Sequence, residues 1–232
     1  MRLASSILGA LAAPSPRAEL SSRTVAELDR IRQALERHRA EILDPGSGRR
    51  AAVAVVLRPA EAGPELLFIE RSEHPLDPWS GHMAFPGGRV DPHDATAAAA
   101  AERVTAEEVG LELAGAERLG RLDDLEGRHA GRPAGLVVSA FVYAVAQPPA
   151  LRPNHEVRAA LWVPLQQLVE PARRVDYRPA SFPRDLPAYP GIVVGDPERH
   201  VVWGLTYRFL EGFFEVLGSP FPDRWAQLRL GA

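Results

Sequence analysis

The fold of this chain is decided by the stretch Phe85-Pro86-Gly87-Gly88-Arg89-Val90, which leads through an alanine-rich segment to Arg103-Val104-Thr105-Ala106-Glu107-Glu108-Val109-Gly110-Leu111. The first part is typical of a glycine loop, and the second predicts a helix whose last turn carries adjacent carboxylates. Such carboxylates beside a loop of backbone N–H groups can hold a hard divalent cation against a phosphate, because Mg²⁺ prefers oxygen ligands and shares them between protein and substrate. The stretch therefore indicates phosphate-ester or phosphoanhydride chemistry.

The limits of this helix are predicted by the residues at its two ends. Asp94 and Thr96 are both candidates for the N-cap, because short polar side chains accept hydrogen bonds from the N–H groups of the first turn. The alanines at 97–101 have the highest intrinsic helix propensity, and Gly110 stands where a left-handed C-terminal cap belongs. The adjacent carboxylates therefore fall in the final turn of the helix.

The helical wheel places three positions of this helix on one face. At about 100° per residue, Val104 and Glu108 lie roughly 40° apart, and Glu107 lies roughly 60° to the other side of Val104. We expect this face to point at the glycine loop. Glu102 lies about 160° from Val104, so we expect it to point away. Arg103 can pair with Glu107 at i, i+4 or brace the loop.

These offsets resemble the Nudix box, in which a glycine-containing loop leads to a helix with the pattern Arg-Glu-apolar-x-Glu-Glu-x-Gly-apolar. The residues that match the helical part of this pattern are Arg103, Glu107, Glu108, Gly110 and Leu111. The family's glutamate directly after the arginine is absent, and Val104 stands in its place. A valine side chain neither coordinates a metal nor takes a proton, so this departure bears directly on activity.

The resemblance extends beyond the box, over about residues 50 to 215, to the coenzyme A pyrophosphatase-like members of the Nudix family. The segments that carry it are Arg71 through Gly88, Asn154-His155-Glu156-Val157, Leu161-Trp162-Val163-Pro164-Leu165 and Val202-Trp203-Gly204-Leu205-Thr206. Coenzyme A-specific members usually carry a histidine and a glutamine before Phe-Pro-Gly-Gly, where this chain has Trp79 and His82. The substrate is therefore open among coenzyme A derivatives and other nucleoside diphosphate compounds.

The resemblance implies Mg²⁺- or Mn²⁺-assisted attack of water on a phosphoanhydride, with carboxylates holding the metal and one acting as base. The implied metal ligands are Glu107 and Glu108, the implied catalytic set is Glu107, Glu108, Arg103 and Glu156, and the implied substrate-binding residues are Arg71, Gly87 and Gly88. Two alternatives stay open. Glu156 is equally explained as a polar residue flanking a strand, and Arg71 as a surface partner of Glu70, Glu73 or Asp77.

The order of the remaining elements predicts an α/β fold, and the resemblance implies a Nudix-type α/β/α sandwich with a mixed central sheet. Hydrophobic spacing predicts an amphipathic helix over 24–43, stopped by Asp44-Pro45-Gly46. Strands are predicted at 51–57, 65–70, 117–122, 135–145 and 157–163, and further helices at 164–169 and 203–217. The proline-rich stretch 171–190 lacks periodicity and is predicted to be a surface excursion or lid.

Length and composition limit the classes of protein and partner. The 232 residues suit one core, and we expect an N-terminal segment at 1–48, the main domain at 49–218 and a tail at 219–232. A net charge of -3 gives no basic surface for nucleic acid, and no apolar run reaches the roughly 20 residues that span a bilayer. We expect a cytoplasmic protein whose partner is a small nucleoside diphosphate derivative, and a homodimer is left open.

Two functions from different classes follow from the valine at position 104. The first is a hydrolase that cleaves a phosphoanhydride in a nucleoside diphosphate derivative, coenzyme A-like in lineage, with reduced or rearranged metal catalysis. The second is a catalytically inactive Nudix domain that acts as a nucleotide-binding or interaction module. Binding of a nucleotide that depends on Mg²⁺ or Mn²⁺ favours the enzyme, whereas binding that is insensitive to chelator favours the module.

Overall fold

The computed structural model describes residues 22–74, 80–129, 132–179 and 188–221. The predictions that concern Trp79, Asp77, the first 21 residues, the middle of the stretch 171–190 and most of the tail lie outside these ranges. None of the helices in the described ranges has the length and hydropathy needed to cross a bilayer. The predicted α/β class with a mixed central sheet is confirmed.

The central sheet is mixed because its two longest strands are parallel and their neighbours are antiparallel. Its strands are β1 (Arg49–Arg58), β2 (Glu65–Arg71), β3 (Met83–Ala84), β4 (Gly87–Arg89), β5 (Glu117–Arg121), β6 (Leu125–His129), β7 (Arg132–Ala144) and β8 (Val157–Pro164). Along the main path the order is β3-β2-β1-β7-β5, while β4 pairs with β1, β6 with β7 and β8 with β2. The central position of β1 explains its unbroken apolar run, since Ala54 through Leu57 are buried on both faces.

Helices and a smaller sheet cover the two faces of the central sheet. The helices are α1 (Ser22–Arg37), α2 (Ala97–Val109), α3 (Leu165–Leu168) and α4 (Gly204–Val216), and the strands of the smaller sheet are β9 (Arg174–Tyr177), β10 (Tyr189–Val193) and β11 (Val201–Val202). On one face α2 packs through Ala98, Ala100 and Ala101, whose small side chains allow close approach. On the other face the core includes Phe68 of β2 and Phe213 of α4.

The ends of α2 agree with the prediction from its sequence. Thr96 is the N-cap, and its hydroxyl oxygen accepts a hydrogen bond from the N–H of Ala99 at 3.1 Å. Gly110 closes the helix at φ 68°, a left-handed conformation that glycine adopts without strain, and donates its N–H to Ala106. Of the two predicted cap candidates, Thr96 is therefore the one used.

The first helix ends earlier than predicted, at Arg37 rather than residue 43. Two aspartates distant in sequence bind the backbone that follows. Asp123 accepts the N–H of Glu41 at 2.8 Å, and Asp124 accepts the N–H of Leu43 at 3.1 Å. These bonds satisfy N–H groups that a longer helix would have used internally, so the chain leaves the helix before its sequence pattern stops.

The prediction for the stretch 171–190 was also incomplete. Part of it is regular structure: a 3-10 turn at Pro171–Arg173, then β9, and then the start of β10. Gly191 of β10 shows how closely this sheet packs, because a Cβ there would lie 2.8 Å from Val201. The short strands carry no clear alternation in sequence, so pairing between strands distant along the chain determines them.

We expect the buried Asp124 to contribute far more to the free energy of unfolding than the exposed Asp123. The Asp124 side chain is fully buried and bonds Arg50, Arg121 and the N–H of Leu43. Replacing it by alanine leaves these donors without their acceptor, so Asp124→Ala should lower the free energy of unfolding by about 3 kcal/mol. The measurement is urea denaturation followed by circular dichroism.

Asp123→Ala is the matched control, because its carboxylate is 51% exposed. Its removal should cost less than about 1 kcal/mol. Equal losses for the two variants would contradict the assignment of Asp124 as the group that holds the segment after α1.

Candidate active site

The centre of the site is Glu108, which lies in the last turn of α2 and is only 2% exposed. The N–H of Gly87 donates a hydrogen bond to its carboxylate oxygen Oε2 at 2.9 Å. Burial raises the pKa of this carboxyl to about 7, and the nearby charges of Glu156 and Glu107 act in the same direction. The Gly87 hydrogen bond and the charge of Arg71 oppose the shift. Glu108 is therefore poised between its neutral and charged forms near neutral pH.

Gly87 occupies a place that no other residue fits. It pairs with Val53 in the antiparallel ladder between β4 and β1, at φ 150°. A Cβ atom there would lie 2.3 Å from the carbonyl oxygen of Ala52 and 2.5 Å from the Cα of Val53. Such distances are far inside van der Waals contact, so the strand pairing requires glycine. The loop predicted from the two glycines is thus partly a strand of the sheet.

Val104 lies against the neighbouring glycine. A Cβ on Gly88 would meet both methyl groups of Val104 at 3.4 Å, which is an ordinary contact distance. Val104 is 9% exposed. The expectation that position 104 faces the glycine segment is confirmed, and an apolar side chain occupies this place beside Glu108.

The guanidinium of Arg103 holds three acceptors together. It forms two hydrogen bonds of 2.9 Å with the carboxylate of Asp94, two of 3.1 and 3.2 Å with Glu107, and one of 3.4 Å with the carbonyl of Arg89. The hydrogen bond from Arg103 lowers the pKa of Asp94 to about 2, assisted by the N–H of Asp91. Arg103 therefore both pairs with Glu107 and braces the loop, so the two predicted roles coexist.

Sequence reasoning missed the pairing of Asp94 with Arg103. The sequence offers Asp94 as a helix cap or as a carboxylate that replaces the one missing at position 104, but Thr96 is the cap and Asp94 is bonded to Arg103. Arg103 lies nine positions after Asp94, and no helical spacing rule joins residues so far apart. The one signal in the sequence was that an acidic residue, Asp94, precedes the alanine-rich segment and a basic residue, Arg103, follows it.

Glu156 and Arg71 come together through the pairing of β2 with β8. The ladder shifts register at Glu70/Arg71, and the N–H of Ser72 donates to the carbonyl of Glu156 at 2.8 Å. The loop before β8 is joined to the end of α2, since the N–H of Asn154 donates to the carbonyl of Glu108 at 2.9 Å. The exposed Glu156 thus stands close enough to raise the pKa of Glu108.

Two of the acidic residues suggested as surface partners of Arg71 have other partners. Glu70 is buried and receives hydrogen bonds from Arg199, of which the shortest is 2.6 Å, and from His200 at 3.3 Å. Glu73 pairs with Arg158 at 3.5 Å. The charge of Arg71 acts on Glu108, which is consistent with a place at the site.

Glu102 points away from the site, as predicted. Its carboxylate accepts a hydrogen bond from the hydroxyl of Tyr143 at 2.9 Å. Burial, and after it this hydrogen bond, raises the pKa of that phenol. Glu102 therefore does not replace the carboxylate that is missing at position 104.

The donor set fits a divalent cation only in part. Within the described ranges no group of three or more histidine, cysteine or acidic side chains converges closely enough to hold an ion. Glu108 and Glu107 supply two carboxylates, and Mg²⁺ commonly uses one or two together with substrate phosphates and water. Glu156 and Glu107 repel a negative charge on Glu108 and so raise its pKa. A bound cation offsets this repulsion. Two carboxylates therefore fit a cation whose remaining ligands are substrate phosphates and water.

The sequence is similar to several known proteins. Over 143 residues it is 36% identical to "Uncharacterized protein C14C4.10c" of Schizosaccharomyces pombe, covering 53% of this chain and 44% of that protein. Over 163 residues it is 33% identical to "Uncharacterized Nudix hydrolase NudL" of Escherichia coli, covering 68% of this chain and 77% of that protein. The chain thus spans less than half of the yeast relative and about three quarters of the bacterial one.

Among solved structures, a MutT/nudix family protein from Enterococcus faecalis is 15% identical, with a TM-score of 0.48 over 81% of this chain and 78% of that one. A model of the NUDIX domain matches residues 48–184. This match covers more than half of the 232 residues and includes the whole glycine segment and α2. On the strength of the domain match and the bacterial relative, the chain belongs to the Nudix family.

Proposed function

We propose that the protein hydrolyses a phosphoanhydride bond in a nucleoside diphosphate derivative, with a coenzyme A-like compound as the first candidate, and that it uses Mg²⁺ or Mn²⁺. The observation that carries the proposal is the buried carboxylate of Glu108. It is bonded to Gly87 and surrounded by the charges of Arg71, Glu107 and Glu156. A cation would offset the negative charges of the carboxylates here, and a phosphate would offset the positive charge of Arg71.

In this proposal Glu107 and Glu108 hold the cation, and Glu107 turns from Arg103 to do so. A bound divalent cation polarises a phosphoryl oxygen and lowers the pKa of a coordinated water. Glu156 is exposed and adjacent, so it acts as auxiliary ligand or as the base that takes a proton from the attacking water. Arg103 keeps its place through its two bonds to Asp94 when Glu107 turns to the cation.

Arg71 and the two glycines form the phosphate side of the proposed site. The planar guanidinium of Arg71 suits bidentate binding of a phosphate. The N–H of Gly87 already has Glu108 as its acceptor, so Gly87 contributes by holding that carboxylate in place. In this proposal Gly88 contacts the substrate through its backbone, while the side on which a Cβ would lie faces the methyl groups of Val104.

The second candidate function is a Nudix domain that binds a nucleotide without cleaving it. The observation in its favour is Val104, whose buried methyl groups stand at the position where the family pattern has a glutamate. Glu107 is also paired with Arg103. Glu108 is therefore the one carboxylate of α2 that is both buried and not paired with an arginine of that helix. Nucleotide binding that is unchanged by EDTA supports this alternative.

We expect the wild-type protein to release phosphate-containing products from coenzyme A or ADP-ribose when Mg²⁺ or Mn²⁺ is present. Glu108→Gln should reduce the rate by at least about 100-fold, because the charge that holds the cation is lost. The measurement is product formation by chromatography on a panel that also contains dinucleotides and nucleoside triphosphates. Glu102→Gln is the matched control and should keep its rate, since Glu102 binds Tyr143 instead. Absence of turnover on the whole panel contradicts the proposed activity.

Restoring a carboxylate at position 104 should raise activity. Val104→Glu places an ionisable group on the face that carries Glu108, and one acid–base group is worth about 10² or more in rate, so we expect at least a roughly tenfold increase. The same panel measures it at saturating Mg²⁺. Val104→Gln is the control, because a glutamine side chain is similar in size to glutamate but is neither charged nor basic. An unchanged or lower rate for Val104→Glu shows that position 104 is not a missing catalytic group.

The stability of the protein without metal should depend on pH through Glu108. Its pKa is about 7 in the fold against 4.5 for the ordinary carboxyl, so the folded state binds the proton more tightly. Below pH 4.5 Glu108 is protonated in both states and the fold has its full stability. As the pH rises through 7 the carboxyl must ionise inside the fold, which lowers the free energy of unfolding by about 3 kcal/mol.

Glu108→Gln removes this dependence and keeps an acceptor for the N–H of Gly87. Relative to wild type, the variant should therefore gain stability between pH 5 and pH 8 in EDTA, as measured by urea denaturation. A stability difference that does not change over this pH range contradicts the raised pKa.

A further inference from the structure

Four rings gather at one end of the smaller sheet. Trp203, the residue before α4, is approached by His82 at a ring-centroid distance of 4.9 Å, by Tyr189 at 5.4 Å and by Tyr177 at 5.6 Å. Tyr177 and Tyr189 are direct partners in the ladder between β9 and β10. His82 comes from the distant segment before β3. We name these four residues the aromatic cluster.

The aromatic cluster lies outside the two hydrophobic cores. All four rings are partly exposed, and none of them packs into either core cluster of the described residues. By contrast, Tyr207 and Phe213 of the adjacent α4 are fully buried. Aromatic side chains present large apolar faces, and several partly exposed rings that converge in this way are typical of the walls of a ligand site.

The aromatic cluster is next to the phosphate side of the active site. The N–H of Arg71 donates to the carbonyl of His82 at 3.1 Å, and the N–H of Gly81 donates to the carbonyl of Arg71 at 3.2 Å. His82 and Arg71 are thus opposite each other at the edge of the sheet, and the charge of Arg71 acts on Glu108. One backbone hydrogen bond therefore joins the aromatic cluster to the residue proposed to bind phosphate.

We propose that the aromatic cluster binds the base of the substrate, with Trp203 as the main stacking surface, while the phosphates lie against Arg71. This inference rests on the proposed function, and it adds the residues that bind the base of the substrate. A nucleotide carries its base and its phosphate on one sugar, and the aromatic cluster is joined to Arg71 through the backbone of His82. Stacking tolerates any base, because every base has a π-face.

The test is equilibrium binding of AMP and of ribose 5-phosphate in the presence of Mg²⁺, since neither compound has a phosphoanhydride bond that could be hydrolysed. The two probes share a sugar and a phosphate and differ in the base. We expect wild type to bind AMP more tightly than ribose 5-phosphate. Trp203→Leu should weaken AMP binding about tenfold and leave ribose 5-phosphate unchanged, whereas Trp203→Phe should retain most of the AMP affinity because it keeps a flat ring.

Trp162→Leu is the matched control. Trp162 is also partly buried, but it lies on β8 under the guanidinium of Arg58, 4.5 Å from the ring centroid. Its loss should leave AMP binding unchanged. Tyr189→Leu is a second variant of the aromatic cluster, and it should also weaken AMP binding selectively. It replaces Trp203→Leu in the test if thermal melting shows that Trp203→Leu unfolds.

The proposal is overturned if wild type does not prefer AMP to ribose 5-phosphate, or if the cluster variants weaken both probes equally. It is also overturned if Trp162→Leu has the same effect as Trp203→Leu. These outcomes are separate from the fate of the proposed hydrolase. A protein that cleaves nothing can still bind AMP through Trp203, and an active enzyme can bind AMP without it.

Discussion

The backbone of Gly87 lies so close to β1 that a side chain cannot be accommodated there, and much of the site depends on this approach. Because β4 runs against β1 at this point, the N–H of Gly87 meets the carboxylate of Glu108 at the end of α2. The N–H of Asn154 binds the backbone of Glu108 from the other side. Sheet, helix and the loop before β8 are therefore joined at a single residue.

The electrostatics of the site follow from that junction. Burial holds Glu108 near the balance of its two forms, while Arg103 divides its guanidinium between Asp94 and Glu107. Val104 adds no charge between these groups, so the site carries one carboxylate fewer than the family pattern. Two carboxylates attract a cation less strongly than three, so in the proposed site the phosphates of a substrate contribute a larger share of the cation's ligands.

The C-terminal part of the chain is attached to the same edge of the sheet by a buried charge. Glu70, at the end of β2, is bonded by Arg199 and His200 from the turn before β11. The N–H of Asp196 donates to Nδ1 of His200, so the other ring nitrogen carries the proton shared with Glu70. This attachment lies close along the chain to Trp203, which contacts the ring of His82, and the carbonyl of His82 accepts the N–H of Arg71. Two distant parts of the chain therefore meet at this edge.

The sequence alone determined the features that depend on near neighbours. Capping and helical periodicity act within a few residues, and they correctly predicted the limits of α2, the contact of Val104 with the glycine segment and the direction of Glu102 away from the site. The tertiary structure alone decided the end of α1, the bond from Gly87 to Glu108 and the gathering of rings around Trp203. These features join residues tens of positions apart, and such contacts form only when the packed sheet brings them together, because no local spacing encodes them.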